Sequence, residues 1–154
     1  MLVKRAMSKN VVSVSVPGNR EKVLDLMRKE DKAVLPVVKG DTKQLVGLIT
    51  RSDLIVNPDE EQIAILMSTD LVTASPDDDV KDVAKKMIDN NVRRVPVVDD
   101  NGDLVGIITS FDLVSNALIK LESDDPVENF MITTVPTTWY KTPLNVAFET
   151  MKDR

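Results

Sequence analysis

Apolar and polar positions fall into blocks along this chain, and the blocks recur. Val11 to Val16 reads as a strand ended by Pro17-Gly18. From Arg20 to Glu30, the residues Val23, Leu24, Leu26 and Met27 lie at helical spacing. Val34 to Val38 is a short, almost wholly apolar strand. The polar turn Lys39-Gly40-Asp41-Thr42-Lys43 joins it to a second strand, Leu45 to Thr50, in the pattern of a hairpin. Asp53 opens a brief helix that Pro58 ends. The same order then returns. Leu71 to Ala74 reads as a strand, and Pro76-Asp77-Asp78-Asp79 leads a helix with Val80, Val83, Ala84, Met87 and Ile88 facing inward. Val95 to Val98 is apolar, Asp100-Asn101-Gly102 is a strong hairpin signal, and Leu104 to Thr109 pairs back. A longer helix runs from Asp112 to about Leu121, carrying Leu113, Leu118 and Ile119, and the polar stretch from Glu122 to Pro126 breaks it. From Val127 the pattern restarts with Phe130-Met131, a strand near Val135 and a helix from Pro143 to Met151.

The recurrence is in register. Pro36 and Pro96 stand 60 positions apart, as do Met7 and Met67 and also Met27 and Met87, while Asp53 and Asp112 are 59 apart and Met151 follows Met87 by 64. A fixed period of this length means one supersecondary unit copied, with neighbouring copies burying their apolar faces together. A unit of roughly 60 residues is marginal alone, so two packed copies form the folding unit. The expected division is residues 1–64 for the first unit, 65–122 for the second, and 123–154 for a linker and the N-terminal half of a third. A full third copy needs roughly 20 to 30 further residues, which points to a longer, four-unit protein, the alternative being an arrested copy that serves as a cap. Strand-helix-strand-strand-helix in each unit predicts a small sheet with helices on one face, an α/β (α+β) sandwich.

Composition narrows the chemistry. The chain has 154 residues, 42% apolar, with a net charge of −5, and its basic residues are scattered, so nothing predicts a nucleic-acid surface. Aromatic residues are only 3%, which leaves few stacking platforms for single strands. There is no cysteine and no histidine, which removes disulfides, thiolate chemistry, the commonest general base and the commonest zinc ligand. No G-x-x-x-x-G-K-[ST] loop or G-x-S-x-G elbow occurs, so an enzyme is disfavoured. Six of the seven methionines occupy equivalent repeat positions, which suits core packing better than sulfur chemistry. The run Asp77-Asp78-Asp79 suits a helix start better than a metal. Trp139 and Tyr140 read as packing residues. The N-terminus lacks a signal-peptide pattern and no stretch approaches 18 apolar residues, so the expected setting is soluble and cytoplasmic, without membrane insertion.

Two motifs carry the strongest signal. Leu35-Pro36-Val37-Val38 precedes Gly47-Leu48-Ile49-Thr50-Arg51-Ser52-Asp53, and Val95-Pro96-Val97-Val98 precedes Gly106-Ile107-Ile108-Thr109-Ser110-Phe111-Asp112. Each is weak alone, but in order, at one spacing, twice, they resemble the CBS domain family, named for cystathionine β-synthase. The resemblance covers residues 6–121 well and the restart from Val127 in part. It implies a pseudo-twofold pair of units with clefts between their sheets. It further implies an adenosine derivative there (AMP, ADP, ATP or S-adenosylmethionine) as a regulatory ligand, with no catalytic cofactor. The implied partners are a regulated protein or further CBS units, and a second copy in a homodimer.

On that resemblance, Thr50 and Thr109 would orient phosphate, Asp53 and Asp112 would accept a ribose diol, and the helix start would offer unpaired N–H groups. An aspartate at a helix start is also a good cap, worth about 0.5–2 kcal/mol with no ligand, and both readings stand. Val34, Leu35 and Pro36, with Arg94, Val95 and Pro96, would line an adenine slot. Ser13 and Thr73 are further candidates on the opening strands. The copies differ in charge, since Arg93-Arg94 stand where the first unit has Ala33-Val34. With no histidine, Arg93, Arg94, Arg51, Lys32 and Arg20 are the cations available for phosphate, which makes the two clefts unequal. The rival reading is a ligand-free dimerisation scaffold.

Overall fold

The computed structural model describes residues 1–117, 126–129 and 131–152. The chain divides into two compact units, Met1–Leu121 and Glu122–Arg154. Within the first, the elements are β1 (Val14–Val16), α1 (Arg20–Lys29), β2 (Val34–Lys39), β3 (Leu45–Thr50), α2 (Arg51–Val56), α3 (Ile63–Leu66), α4 (Val80–Asp89), β4 (Arg94–Val98), β5 (Leu104–Thr109) and α5 (Ser110–Ala117). The mixed α/β character expected from the repeat is observed, in two lobes.

Each hairpin closes in the same way. β2 pairs antiparallel with β3, setting Val34 opposite Thr50, and β4 pairs with β5, setting Arg94 opposite Thr109. Both ladders slip at the second valine of the Pro-Val-Val run, between Val37 and Val38 and between Val97 and Val98. The hairpin turns use Gly40 at φ 53° and Gly102 at φ 81°, a left-handed conformation that glycine adopts without a Cβ penalty. The opening strands are shorter than expected. In the first lobe only Val14–Val16 joins, parallel to β2, giving the order β1-β2-β3. In the second, the expected strand from Leu71 to Ala74 reduces to one bridge between Ala74 and Val97, leaving a two-stranded sheet. The reason is local. Pro76 stands where the first unit has Val16, and a residue without an N–H cannot extend the ladder.

The core runs out of phase with the repeat. Val3, Ala6 and Met7 pack in the second lobe, with Val80, Val83, Met87, Val95, Val97, Ile108 and Leu113. Ile63, Leu66 and Met67 pack in the first, with Val23, Met27, Leu35, Val37, Ile49 and Leu54. The opening segment of each copy therefore lies on the other copy's sheet. Ser8 bridges Ile107 and Ser68 bridges Leu48. A Cβ on Gly106 would stand 2.5 Å from Met7 Sδ, and one on Gly47 would stand 2.5 Å from Met67 Sδ, so both glycines are seats for the exchanged methionines. At the hairpin ends Gln44 bridges Asp103, its own counterpart in the other copy; Leu45 N–H donates to Gly102 and Leu104 N–H to Lys43. Reciprocal contacts of this kind mark a pseudo-twofold axis.

The three consecutive aspartates have separate partners. Asp79 accepts from Lys81 N–H at the start of α4 and from the Met1 amine, Asp78 accepts from Ser75 N–H and Lys86, and Asp77 pairs with Lys4. With Val3 N–H donating to Asp78 C=O and Lys4 N–H to Pro76 C=O, they hold the exchanged N-terminal segment on the second lobe. Ile88, expected to face inward, is 79% exposed.

The second unit holds α6 (Leu144–Lys152), where a helix was expected. No strand forms near Val135 among the described residues, and Val135 is exposed. Trp139 and Tyr140 are exposed rather than packed; their rings meet edge to face at 5.0 Å, with Lys141 over both. Leu118, Ile119 and Phe130 lie outside the described residues.

Candidate functional site

The strand-to-helix turn is built identically in both lobes. Thr50 is the N-cap of α2, and Asp53 N–H donates to its Oγ1 at 3.2 Å. Asp53 Oδ2 accepts from Thr50 N–H at 2.8 Å and from the Thr50 hydroxyl at 2.7 Å. In the second lobe the corresponding distances are 3.1, 2.8 and 2.7 Å for Asp112 and Thr109. This reciprocal arrangement is a capping box. It revises the expected roles. The cap is the threonine, three residues before the aspartate, and the threonine hydroxyl proton is spent on that aspartate. Ser110 N–H donates to Arg93 C=O and Arg51 N–H to Ala33 C=O. Among the described residues only Phe111 N–H, and Ser52 N–H in the first lobe, is left of the four end groups, so the turn is a poorer phosphate cradle than expected. What it leaves open is the second carboxylate oxygen of each aspartate, Oδ1, an acceptor without a partner among the described residues.

A cleft of about 270 Å³ joins the lobes, lined by Ser8, Asn10, Val11, Val12, Lys32, Val34, Leu35, Pro36, Arg94, Ile107, Thr109 and Asp112. It sets Val34-Leu35-Pro36 of the first lobe against the Thr109–Asp112 turn of the second, beside the cross-strand neighbour of that turn, Arg94. Arg94 and Lys32 are exposed and make no ion pair among the described residues. The cleft thus offers aliphatic walls, one acidic acceptor and two exposed cations. Of the candidates named from the sequence, it gathers Lys32, Val34, Leu35, Pro36, Arg94, Thr109 and Asp112.

The other candidates lie elsewhere. Thr50 and Asp53 form the turn of the first lobe. Val95 and Pro96 are buried, and Val95 belongs to the core of the second lobe. Arg93 is exposed outside the cleft lining. Ser13 lines two other cavities, and Thr73 C=O accepts from Lys86. Arg20 Nε donates to Leu54 C=O and Arg51 Nη2 to Lys32 C=O, so both act as ties between elements. Sequence reasoning missed Ser8, Asn10, Val11 and Val12, which enter the cleft only because the opening segment crosses between lobes.

The CBS domain family model matches residues 3–59 and 61–118. This chain belongs to the CBS domain family. It is 32% identical over 152 residues to the uncharacterized protein MJ1426 of Methanocaldococcus jannaschii, covering 74% of this chain and 89% of that protein. It spans less than half the length of two further curated relatives, 43% and 44%. Among solved structures, the CBS domain pair of protein MJ0100 in complex with 5′-methylthioadenosine and S-adenosyl-L-methionine matches with a TM-score of 0.68 and 32% identity, covering 75% of this chain and 98% of that one. The cytosolic domain of the Mg2+ channel MgtE in complex with ATP matches with a TM-score of 0.64 and 32% identity, covering 71% of this chain and 46% of that one.

Proposed function

We propose that this CBS pair is a regulatory rather than catalytic module, which binds an adenosine derivative (AMP, ADP, ATP or S-adenosylmethionine) in the cleft between its lobes. The observation that carries the reading is the cleft itself, where an aliphatic slot from one lobe faces an acidic acceptor and a cation from the other. A flat base packs on Val34, beside the buried Leu35 and Pro36 of the same strand, and a ribose diol donates to Asp112 Oδ1. Arg94 and Lys32 meet the phosphates or other anionic tail. Because the ligand touches both lobes, it stabilises one relative orientation of them, and only its differential affinity for that orientation is transmitted to a partner domain or protein.

The two clefts are unequal in this reading. Asn10 and Lys32 line the described cleft, and their counterparts in the other copy are Asp70 and Val92. An acidic side chain in place of a neutral one, and the loss of a cation, disfavour phosphate there. Calorimetry with AMP, ATP, S-adenosylmethionine and GMP tests the proposal. One dominant adenine-selective site is expected, and Arg94→Ala weakens the phosphorylated ligands by about tenfold or more. Absence of heat with every adenine compound at millimolar levels rejects it.

A second reading, a homodimerising scaffold, is favoured by the exposed apolar residues of the two short helices: Ile55 and Val56 on α2, and Phe111 and Val114 on α5. Sedimentation of the chain with and without ligand separates the two. A dimer unchanged by every adenine compound supports the scaffold.

A further inference from the structure

The outer edge of the opening strand is finished differently in the two lobes. In a parallel ladder alternate residues turn both backbone groups toward the partner strand. Gly40 N–H donates to Val16 C=O, and in the second lobe Ala74 N–H donates to Pro96 while Val98 N–H donates to Ala74. Val14 and Val16, like Ala74, therefore face inward along the sheet, and Ser13 and Ser15, like Thr73 and Ser75, face out. The second lobe satisfies its outer edge with side chains. Ser75 N–H donates to Asp78 Oδ2 at 3.1 Å, and Thr73 C=O accepts from Lys86 Nζ at 3.3 Å. Asp78 and Lys86 also pair with each other at 3.1 Å. Together they present one acceptor and one donor to the edge, as a neighbouring strand would.

The first lobe has no such plug. Gly18 stands at the position of Asp78 and Leu26 at that of Lys86. A Cβ on Gly18 would lie 2.5 Å from Ser15 O, so the backbone itself excludes a carboxylate side chain there. Ser13 C=O and Ser15 N–H consequently have no partner among the described residues. They border a groove of about 690 Å³ whose apolar lining includes Pro17, Val23, Leu26 and Ile63 and whose sole charged lining residue is Lys22.

We propose that this groove accepts an extended peptide segment of a partner protein, added as a parallel strand beside β1. A free strand edge is a template for pairing, and main-chain hydrogen bonds supply affinity while pockets for alternate side chains supply specificity. The residue aligned with Val14 donates its N–H to Ser13 C=O and accepts from Ser15 N–H. Its side chain shares a face with Val14, which packs on the cluster containing Val23, so an aliphatic residue fits. Lys22, on the helix that packs against this face, selects an acidic residue two positions along the added strand. The groove shares none of the walls of the lobe-to-lobe cleft, so the proposal is independent of the adenosine reading.

The test uses the full chain, ¹⁵N-labelled, with a blocked five-residue peptide that has valine at its centre and glutamate two positions away, on the same face. The expected result is a shift and slowed exchange of the Ser15 amide on titration, with the already bonded Ser75 amide unmoved. Leu26→Lys, which installs the side chain that plugs the second lobe, weakens binding by about tenfold or more while leaving the heats with adenine compounds unchanged. Methylating the nitrogen of the central valine removes the donor to Ser13 and weakens binding to a similar degree. The proposal is overturned if the Ser15 amide does not respond at millimolar peptide, or if the methylated peptide binds as well as the parent. Concentration-dependent self-association abolished by Leu26→Lys overturns it in favour of a second copy of this chain on the edge.

Discussion

The two lobes share a backbone and differ in what surrounds it. Their Thr-x-x-Asp turns agree to 0.1 Å in every hydrogen bond, yet Thr50 faces Val34 across its ladder and Thr109 faces Arg94. Their methionine seats match in the same way, at Gly47 and Gly106, while their strand edges are opposite, open beside Gly18 and plugged beside Asp78. The lesson is a division between frame and lining. A capping box satisfies donors that any helix start must satisfy, which is reason enough for it to recur. On the proposed function, ligand selection falls to the residues that face the cleft, and those differ.

The largest effect that probes this equivalence is in the core. Ile49 and Ile108 are counterparts, each fully buried. Ile49→Ala and Ile108→Ala should each cost about 2–5 kcal/mol in urea unfolding. Because each lobe holds a segment of the other copy, both variants should unfold in a single transition. A biphasic curve, with one lobe melting ahead of the other, breaks the equivalence.

Next come the turns. Asp53→Ala and Asp112→Ala remove the same hydrogen bonds from the N3 position of the box and should each lose about 1–3 kcal/mol of stability. Only Asp112→Ala should also weaken an adenosine ligand, by about tenfold, because only that carboxylate lines the described cleft. Denaturation and calorimetry on the same two samples check both halves. Equal losses of affinity would mean that the clefts act alike.

The smallest effect separates the strand edges by pH. The Ser75 N–H bond, and then the Lys86 ammonium, hold the Asp78 carboxyl below its ordinary value against partial desolvation. A carboxyl lowered on folding adds stability that is present above its unfolded value, near 3.9, and is lost as pH falls through that value to the folded one. The pair is partly exposed, so less than about 1 kcal/mol is involved. Thermal midpoints between about pH 6 and pH 3 should fall less steeply for Asp78→Asn than for the parent chain. An identical slope removes Asp78 from the account.

Much of this molecule is legible in its residues. The hairpins, the helices and the threonine-aspartate turn follow from contacts within a few positions: a glycine that admits positive φ, a hydroxyl three residues before a carboxylate, valines at strand spacing. The period itself announces two lobes. The opening strand of the second copy is shorter than the apolar pattern of residues 71–74 predicts, because Pro76 and two side chains, Asp78 and Lys86, take over its edge. The cleft is half legible, in its slot and its turn, but not in the walls given by Ser8, Asn10, Val11 and Val12.

What the chain determines by itself is whatever a short stretch of backbone settles with its own neighbours. Only the tertiary structure decided that the opening segments trade places, that Asp112 rather than Asp53 shares a described cleft with Val34, and that one edge stays open. Those outcomes depend on side chains distant in sequence competing for the same backbone groups and the same buried volume, and no local pattern records who wins.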